Sequence, residues 1–229
     1  MKCEIKYAPC NLDEVIYPSV GVERRIKGYA SKQLQGHVML HGSNGTGKST
    51  VARLLIEAIG GSQALVETKH YNSLLGMTDL GEYLQRSVNL ANLTSGSYFL
   101  LFNEFDKAKK NLETLWTTLD ELEDKVMMII TTNHPINIEP SIRSRCDMID
   151  MGGHSGAAVL DRIQYILGEE GLHLPDAQVL QYLTSAEHWM DIRKYMKIAD
   201  ELLYLHRNQM PFPAWKGGSA NLKVVKPIV

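Results

Sequence analysis

The stretch "GSNGTGKST" sets Gly42, Gly47, Lys48 and Ser49 at the spacing G-x-x-x-x-G-K-[ST]. Those residue types in that order suit one task, which is to hold a chain of phosphates. Glycines let the backbone curl until its N–H groups face a β-phosphate, and a helix starting at the end of the loop presents its positive terminus. A lysine there neutralises β- and γ-oxygens, and the Ser49 hydroxyl is a ligand for Mg2+. The candidate nucleotide-binding residues are Gly42, Ser43, Asn44, Gly45, Thr46, Gly47, Lys48, Ser49 and Thr50. A chance glycine-rich turn is the competing reading. The strand-like run before the loop and the helical pattern after it argue against that.

A second stretch, "YFLLFNEFDKAKK", carries the other half of this chemistry. Enzymes that cut a terminal phosphate bring in an aspartate for the metal's water shell, then a carboxylate that polarises the attacking water. Here Asn103 stands in the metal-side position and Glu104 is the candidate general base. An amide accepts a hydrogen bond from metal-bound water but brings no negative charge, so weaker Mg2+ binding and slower turnover are expected. Two outcomes stay open, a slow hydrolase and a nucleotide-dependent switch. Lys107, Lys109 and Lys110 follow this strand. They are either a solvated charge run or a sequence-independent contact with DNA phosphates. Lysines at a helix start oppose its dipole, which favours the second.

These residues need elements to position them. "HVMLH" reads as a buried strand running into Gly42, and Ser49 to Ile59 as a helix stopped by Gly60 and Gly61. "ALVE", "YFLLF", "VMMIITT" and "MIDM" are four further strand candidates. Thr78 is a candidate cap for a helix "DLGEYLQRSVNLA", and "NLETLWTTLDELED" has helical periodicity. Strands alternating with helices imply an α/β fold with a mostly parallel sheet covered on both faces. A strand and a helix intervene between Lys48 and "YFLLFNE", so the acidic strand is not simply the next element after the loop's helix. Beyond "GGHSG" the pattern becomes purely helical, in "AAVLDRIQYILGEEG", "PDAQVLQYLTSAE" and "MDIRKYMKIADELLYLHR". The expected organisation is a nucleotide-binding domain over 1–152, a helical domain over 153–209 and an irregular tail over 210–229.

Composition sets outer bounds. The 229 residues, 44% hydrophobic, can fill a sizeable core. A net charge of −2 gives no global pull towards nucleic acid, so any DNA contact is local. Cys3, Cys10 and Cys146 are too scattered for a disulfide framework or a zinc site, and the histidines lack metal-ligand spacing. No stretch reads as a signal peptide or a membrane span, which makes a cytoplasmic location the expectation.

Several segments together resemble the sliding-clamp loader subunits of the AAA+ ATPases. "KYAPCNLDEVIYP" is similar to their N-terminal K-Y-R-P box, with Ala8 in place of the arginine. The resemblance implies that this segment lies over an adenine, through Tyr7, Pro9, Val15 and Ile16. "TTNH" places Asn133 like the family's first sensor, near the γ-phosphate and the attacking water. "IRSRCDMI" contains Ser144-Arg145-Cys146, which looks like the S-R-C motif whose arginine reaches a neighbouring subunit's ATP; Arg143 is the lesser candidate. "MDIRKYMKIADEL" resembles the family's G-D-x-R segment, making Arg193 the second sensor on the lid, with His188-Trp189-Met190 replacing the usual glycine before Asp191. On the residues alone, Arg145 is equally a surface charge and Arg193 a partner for Asp191 or Glu187.

The resemblance implies an AAA+ P-loop fold with a five-stranded parallel sheet and a small C-terminal α-helical lid. It implies ATP and Mg2+ as cofactors, with Ser49 and Asn103 at the metal and Lys48, Glu104, Asn133, Arg145 and Arg193 in catalysis. Implied partners are related AAA+ subunits or copies of itself in a ring, DNA, and a sliding clamp or other replication protein. The chain leaves no room for the family's C-terminal collar domain, so assembly is expected to use AAA+ contacts, the tail or a partner. A compact chain of this kind suits a phage replication protein. The alternatives are an ATP-dependent switch resembling helicase loaders, and a scaffold subunit that lends Arg145 to a neighbour. A small-molecule kinase would leave the sensor-like and lid arginines unexplained.

Overall fold

The computed structural model describes residues 2–61, 65–69, 98–105, 125–185, 190–214 and 223–224, with residues 82, 85–86, 88–89 and 120–121. The chain divides into two compact units, one of Cys10–Val15 and Ser19–Gly152, the other of Met1–Pro9, Ile16–Pro18 and Gly153–Val229.

The first unit is built on β1 (His37–His41), β2 (Leu65–Lys69), β3 (Tyr98–Phe102), β4 (Val126–Thr132) and β5 (Cys146–Asp150). They form one five-stranded sheet in the order β2-β3-β4-β1-β5, and every pairing is parallel. A sheet buried on both faces needs continuous apolar runs. All of β3 and the first four residues of β1 are accordingly buried. As expected, the acidic strand is not the next element after the loop's helix, since β2 comes between α3 and β3 in the chain; in the sheet β4 lies between β1 and β3.

Two strands shift from their sequence-based bounds. "ALVE" becomes Leu65–Lys69, and "MIDM" becomes Cys146–Asp150. The second shift has a clear cause, since polar Asp147 interrupts the apolar run. Helix α1 (Cys3–Lys6) belongs to the other unit, whereas α2 (Val20–Ala30) supplies partners for this aspartate. The Tyr29 hydroxyl donates to Asp147 Oδ2 at 3.0 Å and Arg25 pairs with Oδ1, so the strand starts earlier than its hydrophobicity suggests.

Helix α3 (Lys48–Gly60) follows the phosphate-type loop and ends at Gly61, whose φ of 65° is left-handed. A short α4 (Pro140–Arg143) leads into β5. The predicted helices of residues 79–91 and 111–124 lie largely outside the described residues.

The second unit contains α1, α5 (Gly156–Glu169), α6 (Asp176–Ser185) and α7 (Ile192–Arg207). The three predicted lid helices are therefore present. Val159, Ile163, Leu183, Tyr195 and Leu203 are among the residues forming their common core. The leading segment joins this unit, although the sequence placed residues 1–152 together. Buried Cys3 completes the helical core, Tyr7 and Ile16 pack against it, and Cys3 N donates to Asp200 at 2.8 Å. In the tail, expected to be irregular, β6 (Pro213–Ala214) pairs antiparallel with β7 (Lys223–Val224). No described helix is long and apolar enough to cross a membrane.

Candidate nucleotide site

The loop between β1 and α3 takes its shape from three glycines. Gly42, Gly45 and Gly47 have φ of 142°, 75° and 83°, values that glycine adopts without the Cβ penalty. Gly42 is also confined by space, because a Cβ there would stand 3.2 Å from both Gly152 N and Met151 C. Lys48 is buried at the first turn of α3. Its ammonium donates to the carbonyls of Gly42 at 2.9 Å and Ser43 at 2.6 Å. The Thr46 hydroxyl donates to the same Ser43 carbonyl at 3.0 Å. The charge is thus held at the mouth of the loop by acceptors that phosphate oxygens can replace.

Asn103 and Glu104 follow directly on β3. Glu104 is exposed, and its φ of 54° is left-handed, a strained conformation for a non-glycine residue and one that clusters at functional turns. One buried side chain organises both residues. The Thr131 hydroxyl accepts the Glu104 N–H at 3.3 Å and donates to Asn103 Oδ1 at 3.2 Å. Sequence reasoning missed Thr131, which sits inside a quoted motif but has no distinctive type or spacing. It becomes visible only once Phe102 pairs with Ile130, which sets Thr131 level with Asn103. Asn133 is half-buried just past the end of β4. The strand order therefore sets it between the loop after β1 and the turn after β3.

Ser49 and Asn103, the expected metal-side pair, line one cavity of about 470 Å³ together with Arg53, Ile56, Thr68 and Leu101. Among the described residues no cluster of three His, Cys, Asp or Glu side chains could hold a metal by itself. A hydroxyl and an amide fit a Mg2+ that arrives on a nucleotide and keeps most of its phosphate and water ligands. His41, the last residue of β1, has its imidazole pKa lowered by burial. Asp150 at 3.6 Å opposes that shift and the nearby Lys48 charge adds to it.

The predicted arginines both hold carboxylates. Arg145 forms a two-point pair with Asp120, through Nε and Nη2 at 2.7 Å each. Arg193, in the first turn of α7, bonds the Asp191 side chain with Nε and Nη2 at 3.2 Å each, the local pairing that the sequence left open. In the helical unit, the Tyr7 hydroxyl donates to Glu170 at 2.8 Å and its ring meets Tyr165 edge-on. Pro9 and Ile16 lie in that unit too, and Val15 in the sheet unit. Lys107, Lys109 and Lys110 lie outside the described residues.

Residues 38–151 match the sequence profile of the ATPase family associated with various cellular activities (AAA). The chain carries an AAA domain. This AAA protein is 27% identical over 208 residues to the sliding-clamp-loader large subunit of Escherichia phage RB69, covering 86% of this chain and 63% of that one. It is 24% identical over 193 residues to the replication factor C small subunit of Natronomonas pharaonis, covering 82% and 58% respectively. The chain thus spans about three fifths of the length of these relatives. The likeness to clamp-loader subunits that the motifs suggested extends over most of the AAA protein. Its fold is also that of the RuvB Holliday junction branch migration motor of Thermotoga maritima, with a TM-score of 0.64 over 88% of this chain and 67% of that one. At 14% identity this likeness concerns the fold alone.

Proposed function

We propose that this AAA protein binds ATP with Mg2+ and hydrolyses it within an oligomer, as a clamp-loader-like ATPase of DNA replication. The observation that carries the oligomeric part is the place of Arg145 in the sheet. Cys146 pairs with His37, so Arg145 stands level with position 36 at the amino edge of the sheet. Its own phosphate loop begins at Gly42, six residues further along β1, roughly 20 Å away at strand rise and beyond the reach of one side chain. An Arg145 that serves a phosphate must serve another copy's.

In this reading Lys48 and the loop amides hold the phosphates in cis. Ser49 and Asn103 would hold a Mg2+, which would supply charge neutralisation to the phosphates. Glu104 and Asn133 orient the water, Arg193 closes the lid on its own nucleotide, and Arg145 stabilises transition-state charge from the neighbour. Tyr7, Pro9, Val15 and Ile16 form the base-side contacts. Loss of the γ-phosphate removes the contacts of Asn133, Arg145 and Arg193 together and relaxes the ring's grip on DNA or a clamp. Lys107, Lys109 and Lys110 follow the DNA backbone.

The test is phosphate release per protomer over a wide range of protein concentration, with saturating ATP and primed DNA. Turnover that rises with concentration and falls by roughly a thousandfold or more in Arg145→Ala supports the proposal. A rate per protomer that ignores both concentration and Arg145→Ala would rule it out. The second reading, an ATP-dependent switch with little hydrolysis, draws on the neutral Asn103 and on its hydrogen bond from Thr131.

A further inference from the structure

Arg145 is held more closely than a surface charge requires. Its Nε donates to Asp120 Oδ1 and its Nη2 to Oδ2, both at 2.7 Å, while Nη1 donates to the Ser141 carbonyl at 2.9 Å. The arginine is 36% exposed and the aspartate 50%. An ion pair that open adds little to folding stability, so stability gives no reason for so specific a geometry. What the geometry does fix is direction. A guanidinium has five N–H donors in a rigid fork. Three are used here, which leaves two, one on each terminal nitrogen, and two donors on a planar fork suit two oxygens of a phosphate.

Asp120 is also in the right place to act through Arg145. It lies in a helical turn ahead of β4, near His37 at the amino edge of the sheet. It is therefore at the edge that carries Arg145 and away from the edge that carries its own phosphate loop. The arginine's hydrogen bond holds the Asp120 carboxyl below its ordinary pKa, so the pair stays ionised at neutral pH.

We infer that Asp120 is a positioning residue for catalysis in trans: with the Ser141 carbonyl, it locks the Arg145 fork in the orientation that meets a neighbouring protomer's terminal phosphate. This rests on the reading of Arg145 as a trans residue given above. Asp120 touches no nucleotide itself and acts on the site of another copy, never its own.

Mixed oligomers separate the two claims. A donor protomer carries Lys48→Ala, which disables its own site, and keeps Arg145. A recipient carries Arg145→Ala and keeps its loop. Only the pairing of donor arginine with recipient loop forms a whole site, so mixing restores phosphate release if Arg145 acts in trans. Asp120→Asn is then added to one partner at a time. In the donor it lowers kcat by roughly ten- to a hundredfold with KM for ATP little changed, the cost of a misaimed catalytic group. In the recipient, whose position 145 is already alanine, the same change tests for a folding defect. Asp120→Glu in the donor recovers part of the loss.

Restored activity that drops only when the donor carries Asp120→Asn supports the inference. Restored activity that is indifferent to Asp120→Asn, or equally sensitive in either partner, overturns the role of Asp120 and leaves that of Arg145 standing. Failure of the mixture to restore activity overturns the trans reading, and the role of Asp120 falls with it.

Discussion

Thr131 holds Asn103 by its oxygen: the threonine hydroxyl donates to Oδ1 at 3.2 Å while accepting the Glu104 N–H at 3.3 Å. That bond uses one of the two lone pairs of the amide oxygen, on a residue that lines a cavity with Ser49. Asn103→Asp keeps an oxygen for Thr131 and adds a charged one for the metal's water shell. Phosphate release should rise, and the Mg2+ needed for half-maximal rate should fall, each by about tenfold, which corresponds to 1.4 kcal/mol. A magnesium titration of steady-state turnover measures both. No change in either would place the limit on hydrolysis elsewhere. Thr131→Val takes a partner from two backbone and side-chain groups at once and should cost about 1–3 kcal/mol in a denaturant melt.

Gly153 and Met190 compete for one volume. A Cβ at Gly153 would lie 2.2 Å from Met190 Sδ and 2.3 Å from its Cβ, and Met190 itself has a left-handed φ of 49°. Gly153→Ala should therefore destabilise the helical unit by about 1–3 kcal/mol through overpacking. Met190→Gly should be close to neutral, because it relieves the strained φ while loosening the chain. Combined, the two changes should cost much less than Gly153→Ala alone. A double-mutant cycle by thermal melting checks the coupling, and simple additivity would contradict the contact.

The helical unit should carry a pH-sensitive clasp. Glu170 accepts from Lys6, from the Tyr7 hydroxyl at 2.8 Å and from Arg207. These bonds, that from Lys6 first, depress its carboxyl from 4.5 to about 2. A depressed carboxylate adds stability that is fully present above its unfolded pKa and is lost as pH falls through the folded one. Thermal melts of the intact protein should show wild type losing its advantage over Glu170→Gln between pH 4.5 and about 2. A difference between the two proteins that stayed constant across that window would show the clasp to be electrostatically idle.

The thiols should divide by burial. Cys3 and Cys146 are buried and Cys10 is exposed. Burial is the first cause that pushes Cys3 and Cys146 up to about 12, so both remain protonated and poorly nucleophilic at pH 8. An aromatic-disulfide reagent should titrate a single thiol in the native protein and all three in denaturant. Rapid native reaction of Cys146 would mean that the β5 edge opens readily.

The conformation of the loop was legible because it depends on local backbone geometry. Gly42, Gly45 and Gly47 are glycines because the turn needs positive φ, and Lys48 follows at once, where its ammonium reaches the Gly42 and Ser43 carbonyls. The sheet's central strands were legible for a related reason. "HVMLH", "YFLLF" and "VMMIITT" have apolar centres because both faces are covered, and the three strands occupy the quoted runs, polar end residues included. Where a strand borrowed polar partners the pattern misled, and β5 begins at Cys146 because Arg25 and Tyr29 receive Asp147.

The contacts that sequence reasoning missed share a different property. Thr131 meets Asn103 across 28 residues of chain, and Asp120 meets Arg145 across 25. Neither pair has a characteristic spacing, since the intervening chain does not set which strands become neighbours. The sequence by itself determined the glycine loop, the parallel sheet and the helical unit, all of which follow from local conformation and hydrophobic period. Only the tertiary structure decided strand order and register. From these follow the hydroxyl that holds Asn103, the carboxylate that holds Arg145, and the removal of that arginine to the edge opposite its own loop. Each depends on non-local pairing, whose hydrogen bonds form only once distant segments are brought side by side.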